Sequence, residues 1–225
     1  MCNKYRYNKT DNSLVILDDS QKMIGKNCKI PLIYRKMDEI GYTNAQNKLY
    51  LWLNEMEWIP IDEIEKYEYE EGQTKSIIPF AITGAGDKWV WVGTNEDEEY
   101  AVGLCERAES NGIYYAKNTE DAILRQIIEY VASSNFYLVE DNAESYQVSE
   151  AELKRQLNQW KNNFRGIIND EYINVVDELS QLSLKYIKCQ YGEWYALLTL
   201  EEQDELIDKY IKFDLFGKEF EWYIE

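Results

Sequence analysis

IIPFAITGAGDKWVWVGTNEDEEYAVGLCERAESNGIYYAKNTEDAILRQIIEYVA, residues 77–132, is the stretch whose reading decides the fold. Ile77–Thr83 is a short apolar run that carries Pro79, and Gly84-Ala85-Gly86-Asp87 breaks it. Lys88–Val92 is β-branched and aromatic, Thr94–Glu99 is a polar tip, and Tyr100–Arg107 is a second strand pattern. Glu109-Ser110-Asn111-Gly112 has turn chemistry, and Ile113–Lys117 is a last short strand. Thr119 is placed to N-cap a helix, with Glu120 and Asp121 at its positive end. Ile123, Ile127, Ile128 and Val131 give that helix one apolar face. The expectation is an α+β fold: an antiparallel meander, with helices packed on one side of the sheet. Pro79 has no N–H to give to a ladder, so it belongs at an edge or a strand start.

Trp89 and Trp91 share one face of their strand, and Val90 and Val92 share the other. A hairpin that sets Trp91 opposite Ala101 also sets Trp89 opposite Gly103 and Val90 opposite Val102. Both faces then require cover. The helix from Thr119 supplies one, and the rest of the chain or a partner supplies the other. Core packing is the commoner fate of tryptophan, although it is also enriched at the energetic centres of interfaces.

Ile78-Pro79-Phe80-Ala81, the Gly84–Asp87 turn, the Trp89-Val90-Trp91 strand and the helix from Thr119 follow one another in the order found in the SUKH superfamily of small α+β proteins. Glu57-Trp58-Ile59-Pro60-Ile61-Asp62-Glu63-Ile64 resembles the segment that leads into that core. The resemblance covers the middle of the chain. It implies a bacterial immunity protein, without catalytic activity, that binds and neutralises a cognate toxin domain in the cytoplasm. Such toxins are often nucleases or deaminases.

Composition bounds the partner. The formal charge is −18 over 225 residues, which disfavours nucleic acid and anionic membrane as direct ligands. A basic protein is the natural complement, and solubility alone is the plainer account. The charge is unevenly spread. Met1–Lys36 holds eight Lys or Arg against three acids, a local +5 that leaves −23 for the remainder. Cys2, Cys28, Cys105 and Cys189 are widely spaced, which fits free thiols in a reducing cytoplasm better than zinc or a disulfide framework. The first residues show no secretory signal, and no apolar run is long enough to span a bilayer.

The chain contains no histidine, which removes histidine-based triads, acid–base catalysis and most catalytic zinc sites. Gly84-Ala85-Gly86 begins like a dinucleotide fingerprint, but Trp89 occupies the sixth position and a strand follows. It reads as a turn. No cofactor and no metal is expected. Acid pairs suited to glycosidase chemistry occur throughout, so a carboxylate hydrolase stays as a third possibility.

Outside the core, residues 1–30 are expected to form a hairpin from Met1–Tyr7 and Ser13–Leu17. Residues 31–138 comprise the SUKH-like core, and 139–225 a helical subdomain or an extension of that core. Ser149-Glu150-Ala151-Glu152 and Thr199-Leu200-Glu201-Glu202 are capping boxes. A further helix starts near Asn169, Cys189–Leu198 reads as a strand, and Lys212–Phe216 pairs with Glu219–Ile224 as a closing hairpin. The partner is expected at the tip Glu96-Asp97-Glu98-Glu99, with the neighbouring Asp87 turn and Trp89 and Trp91. Four adjacent like charges repel one another and give the fold nothing evident, whereas a charged rim beside aromatic anchors suits an interface. The plainer account makes the tip a solvated loop and Asp87 a turn stabiliser. A cytoplasmic interaction or scaffold module of the same fold is the alternative function.

Overall fold

The computed structural model describes residues 4–8, 13–17, 30–93, 100–133, 149–189 and 192–224, the first two segments as backbone only. In chain order the elements are β1 (Lys4–Asn8), β2 (Ser13–Leu17), α1 (Leu32–Ile40), β3 (Glu57–Trp58), α2 (Ile61–Ile64) and β4 (Ile77–Ile82). Then come β5 (Lys88–Val92), β6 (Ala101–Cys105), β7 (Asn111–Ala116), α3 (Thr119–Ala132), α4 (Glu150–Phe164) and α5 (Asp170–Gln181). β8 (Lys185–Cys189), β9 (Gly192–Ala196), α6 (Leu200–Tyr210) and β10 (Glu219–Glu221) complete the chain. The fold is α+β. Its centre is a six-stranded antiparallel sheet in the order β10-β7-β6-β5-β4-β3, with β1-β2 and β8-β9 as separate two-stranded antiparallel sheets.

β4 to β7 form the expected meander, but the register of its central hairpin differs from expectation by one residue. Trp91 lies opposite Val102, Trp89 opposite Leu104, and Val90 opposite Gly103. Cross-strand partners share a face, so Val102 joins the tryptophans and Gly103 lies behind, with Val90. Pro79 sits inside β4, yet β3 pairs only with Ala81 and Ile82, so no neighbour requires a donor from Pro79. The sheet is locally an edge there, as proline requires.

α3 differs from expectation in two respects. Its cap is Asn118, whose side chain accepts from the Asp121 amide at 2.8 Å, while Thr119 is the first helical residue. The helix is also buried all round rather than along one stripe, with β6 and β7 beneath it and α1, α5 and α6 around it. Its polar side chains are buried with partners. Arg125 Nη1 donates to the Tyr115 carbonyl at 2.8 Å and Nε to Glu129 at 2.7 Å. The guanidinium lies between the Tyr115 and Phe216 rings, at 4.3 Å and 3.9 Å from their centroids. Gln126 donates to Tyr115 Oη at 2.9 Å and accepts from Asn54 at 3.0 Å. Asp121 accepts from Tyr172 Oη at 2.8 Å. A helix this enclosed is stable because each of these groups is hydrogen-bonded away from water.

Leu153, Leu157, Trp160 and Phe164 of α4 belong to the same continuous buried cluster as α3 and the sheet. The cap at Ser149 accepts from the Glu152 amide, but Glu152 itself turns to Arg155, so only half of that capping box forms. The box at Thr199 forms in both directions. Asn169 caps α5, and Gly166, with φ at 77°, carries the turn out of α4. Where one strand is expected at Cys189–Leu198, two strands, Lys185–Cys189 and Gly192–Ala196, pair antiparallel, and Trp194 Nε1 anchors the second on the carbonyl of Ala132 at 3.3 Å.

The expected closing hairpin is absent among the described residues. Residues 214–217 form a turn, and β10 instead pairs with β7, Phe220 opposite Gly112. Beyond it, Trp222 and Tyr223 fold onto the back of the sheet. There Trp222 packs with Ile77, Val90 and Cys105. The Thr74 amide donates to the Trp222 carbonyl at 2.9 Å, and the Ile224 amide to that of Gly72 at 2.7 Å. The second face of the meander is thus covered by the chain itself. Leu49–Leu53 forms no helix or strand; Leu51 and Leu53 are buried and Leu49 and Trp52 exposed. Among the described residues no helix is long and apolar enough to cross a membrane.

Candidate functional site

Trp89 and Trp91 belong to the interior. They are 3% and 0% exposed, so neither ring is a surface on which a partner could dock. Trp91 stacks on Phe80 with centroids 4.6 Å apart and meets Tyr34 edge-on at 4.9 Å, and its indole N–H donates to Thr119 Oγ1 at 2.9 Å. Trp89 packs edge-on against Tyr115 at 4.7 Å and donates to the Glu55 carbonyl at 2.9 Å. Both satisfy their polar atom inside, as buried indoles must.

Asp87 is half-buried and committed to the turn. Its carboxylate accepts from Thr83 Oγ1 at 2.9 Å and from the Arg107 amide at 3.1 Å, which ties the β4–β5 turn to the end of β6. Glu96, Asp97, Glu98 and Glu99 lie outside the described residues. Among the described residues no cluster of Cys, Asp and Glu has the makings of a metal site.

Two concavities stand out among the described residues. The first, about 400 Å³, lies behind the sheet and is lined by Glu70, Gln73, Lys88, Arg107 and Tyr223, with Cys105 at its base. Its polar groups largely serve one another. Gln73 donates to Tyr223 Oη at 2.9 Å, Tyr223 donates to Glu70 at 2.8 Å, and Lys88 donates to Tyr67 Oη at 2.9 Å. Burial pushes the Cys105 thiol up to about 12, against a weaker pull from Lys88, so the sulfur stays protonated and unreactive.

The second, about 360 Å³, opens between α5 and α6. Buried Val175, Leu179 and Leu198 form its floor, and half-buried Leu182 and Leu206 its edges. These are the apolar stripes of two amphipathic helices that meet α3 without closing fully on each other. Glu178, Glu202 and Glu205 stand on the rim with Lys185 and Lys209. Lys185 Nζ bonds Glu202 Oε2 at 2.6 Å, and the Thr199 amide reaches the same oxygen at 2.9 Å. These bonds, that to Lys185 first, hold the Glu202 carboxyl below its ordinary value. Lys209 is held above the usual lysine value by Tyr210, whose ring lies 4.5 Å away, and further by Glu178 and Glu171. Both rim cations thus already have partners. Glu178 and Glu205 are exposed and make no hydrogen bond among the described residues.

No protein-family model matches the chain, and no curated protein or solved structure matches it either. The groove therefore speaks for itself. α5 and α6 hold nine Asp or Glu against one Lys, −8 of the chain's formal −18. Sequence reasoning passed over this site. Its signal is visible in retrospect as two acidic helices with apolar stripes, at 170–181 and 200–210, but their adjacency is a property of the fold.

Proposed function

We propose that the chain is a non-catalytic binding protein of the immunity type, acting in the cytoplasm, which captures and neutralises a basic toxin domain, a nuclease or another enzyme that acts on nucleic acid. The observation that carries this reading is the concentration of acid on α5 and α6 beside an open apolar groove. An enzyme that acts on nucleic acid presents cationic surface to phosphate, and an acidic protein face competes for that surface. Complementary charge also speeds encounter, which suits an inhibitor that must act before its toxin does. The likeness of residues 57–64 and 78–91 to SUKH proteins supports the toxin class. The same groove would serve an interaction module with a non-toxin partner, and one experiment separates the two.

Toxin-like domains encoded beside this gene are expressed in a sensitive host with and without this chain. Restored growth, together with a complex on size exclusion that weakens as salt rises, is the expected result. Growth that stays blocked, with no complex for any such domain, overturns the immunity reading. A complex with a harmless neighbour then favours the module.

A further inference from the structure

We infer that the α5–α6 groove seats one apolar anchor side chain from a basic segment of the protein partner, while cations flanking that anchor engage Glu178 and Glu205. This rests on the reading that the partner is a basic protein, and it names where and how the two meet. The size of the groove suits a side chain. At about 360 Å³ it lies near the lower end of the range of roughly 300–1,000 Å³ typical of ligand pockets, which suits a single aromatic or large aliphatic side chain rather than a helix face. The floor is apolar, being made by Val175, Leu179 and Leu198, so an entering side chain displaces water from apolar surface there rather than from polar groups. Anchors in such pockets carry most of the binding energy of an interface.

The rim selects the charge of the segment. Of its three glutamates, Glu202 is hydrogen-bonded to Lys185 and to the start of α6, whereas Glu205, and Glu178, which acts on Lys209 through its charge alone, make no hydrogen bond among the described residues. They stand on opposite walls of the groove, Glu178 on α5 and Glu205 on α6, so a segment with cations on both sides of its anchor meets one acid with each. An anionic segment would meet Glu178, Glu202 and Glu205 at the rim, where Lys185 and Lys209 already have partners. Exposed acids act chiefly on encounter and register, and the anchor supplies the affinity.

The full chain, labelled with ¹⁵N, is titrated with an acetylated Lys-Trp-Lys-Lys amide, with its Lys-Ala-Lys-Lys counterpart, and with Glu-Trp-Glu-Glu. Saturable amide shifts confined to α5, α6 and Leu182 are expected with the first peptide. Dissociation should be at least about tenfold weaker for the second, corresponding to loss of about 1.4 kcal/mol, and no saturation is expected with the third. Leu206→Trp and, independently, Leu182→Trp fill the groove from its two edges and should each weaken the first peptide at least about tenfold. Unchanged amide positions in β5 and β6 verify that each variant is folded. Glu178→Gln with Glu205→Gln should flatten the salt dependence. Shifts spread over the acidic surface, equal binding of the Ala peptide, or undiminished binding by both folded Trp variants overturns the inference. If growth rescue holds while the peptide fails to seat, the partner uses another face and only the docking inference falls. If the peptide seats and rescue fails, the groove stands and the immunity reading falls.

Discussion

Gly103 offers the sharpest test of how the C-terminal strand is held. It lies opposite Val90 on the back of the sheet, and the space its missing side chain leaves is filled by the Phe220 ring. A Cβ at Gly103 would fall 2.4 Å from Phe220 Cε1, 2.6 Å from Cζ and 3.1 Å from the Ile113 carbonyl oxygen. Carbon atoms pack at about 3.5–4.0 Å, so the ring must retreat by about 1 Å or leave its seat. Gly103 is not in the left-handed region, so the backbone itself accepts alanine. Without the ring, Gly103→Ala would stabilise by about 0.4–1 kcal/mol through the unfolded chain. With the ring, overpacking costs about 1–3 kcal/mol. Gly103→Ala is therefore expected to lose about 1–2 kcal/mol in the parent. In a Phe220→Ala background the same change should fall within about 1 kcal/mol of neutral, because only the Ile113 carbonyl remains to adjust. Urea unfolding followed by tryptophan fluorescence measures all four species, with unchanged slopes showing that the transition stays two-state. An equal loss in both backgrounds eliminates Phe220 as the occupant of the space and unseats β10 from this face.

Three further outcomes follow from the interior and the caps. Thr119→Val leaves the Trp91 indole N–H without its 2.9 Å acceptor, and chemical denaturation should show a loss of about 1–3 kcal/mol; no loss would mean that the hydroxyl is not the partner. In a background with Cys2, Cys28 and Cys189 changed to Ser, Cys105 should resist a thiol reagent at pH 8 in the full chain and react once residues 219–225 are removed; equal rates would show that Trp222 does not cover it. Glu202 has a lowered carboxyl value, so its contribution is present above about pH 4.5, its ordinary value, and fades as the pH falls through the lower folded value. Thermal melts of Glu202→Gln against the parent should accordingly converge as the medium is acidified, and a difference that grows at low pH would contradict the linkage.

What could be read from sequence was local. The strands from Ile77 to Ala116 were legible because turn residues punctuate a β-branched and aromatic pattern, and the caps at Ser149 and Thr199 because the chemistry sits within three residues of the helix start. Register was not legible: one residue decides which face Gly103 takes, and that depends on Phe220, which is far along the chain. α3 looked amphipathic because Asp121, Arg125 and Gln126 are polar, and only the fold brings Tyr172, Phe216 and Asn54 to them. For Trp89 and Trp91 the sequence favours core packing, which the fold gives them, and only an acidic neighbour in sequence offers them to a partner; Tyr34 and Thr119 enclose Trp91 from elsewhere in the chain. The groove shares that limit. Acid density and apolar stripes were present in 170–181 and 200–210, but nothing local states that these two helices face one another.

The position of β10 shapes how the protein must assemble. Asn111 and Glu219, joined side chain to side chain across β7 and β10, are 108 residues apart in the chain. The ring they close passes through α3, α4, α5 and α6, so the sheet gains its outer strand only after every helix around α3 has been synthesised. Until then a nascent chain carries β7 as a bare edge and Val90 and Cys105 facing water, the pattern that invites pairing with a second nascent chain. Closing so long a ring is entropically slow relative to forming the meander. Crowded synthesis from one messenger is therefore the condition under which this fold is most exposed to misassembly, and Phe220 entering the space above Gly103 is the step that ends the exposure.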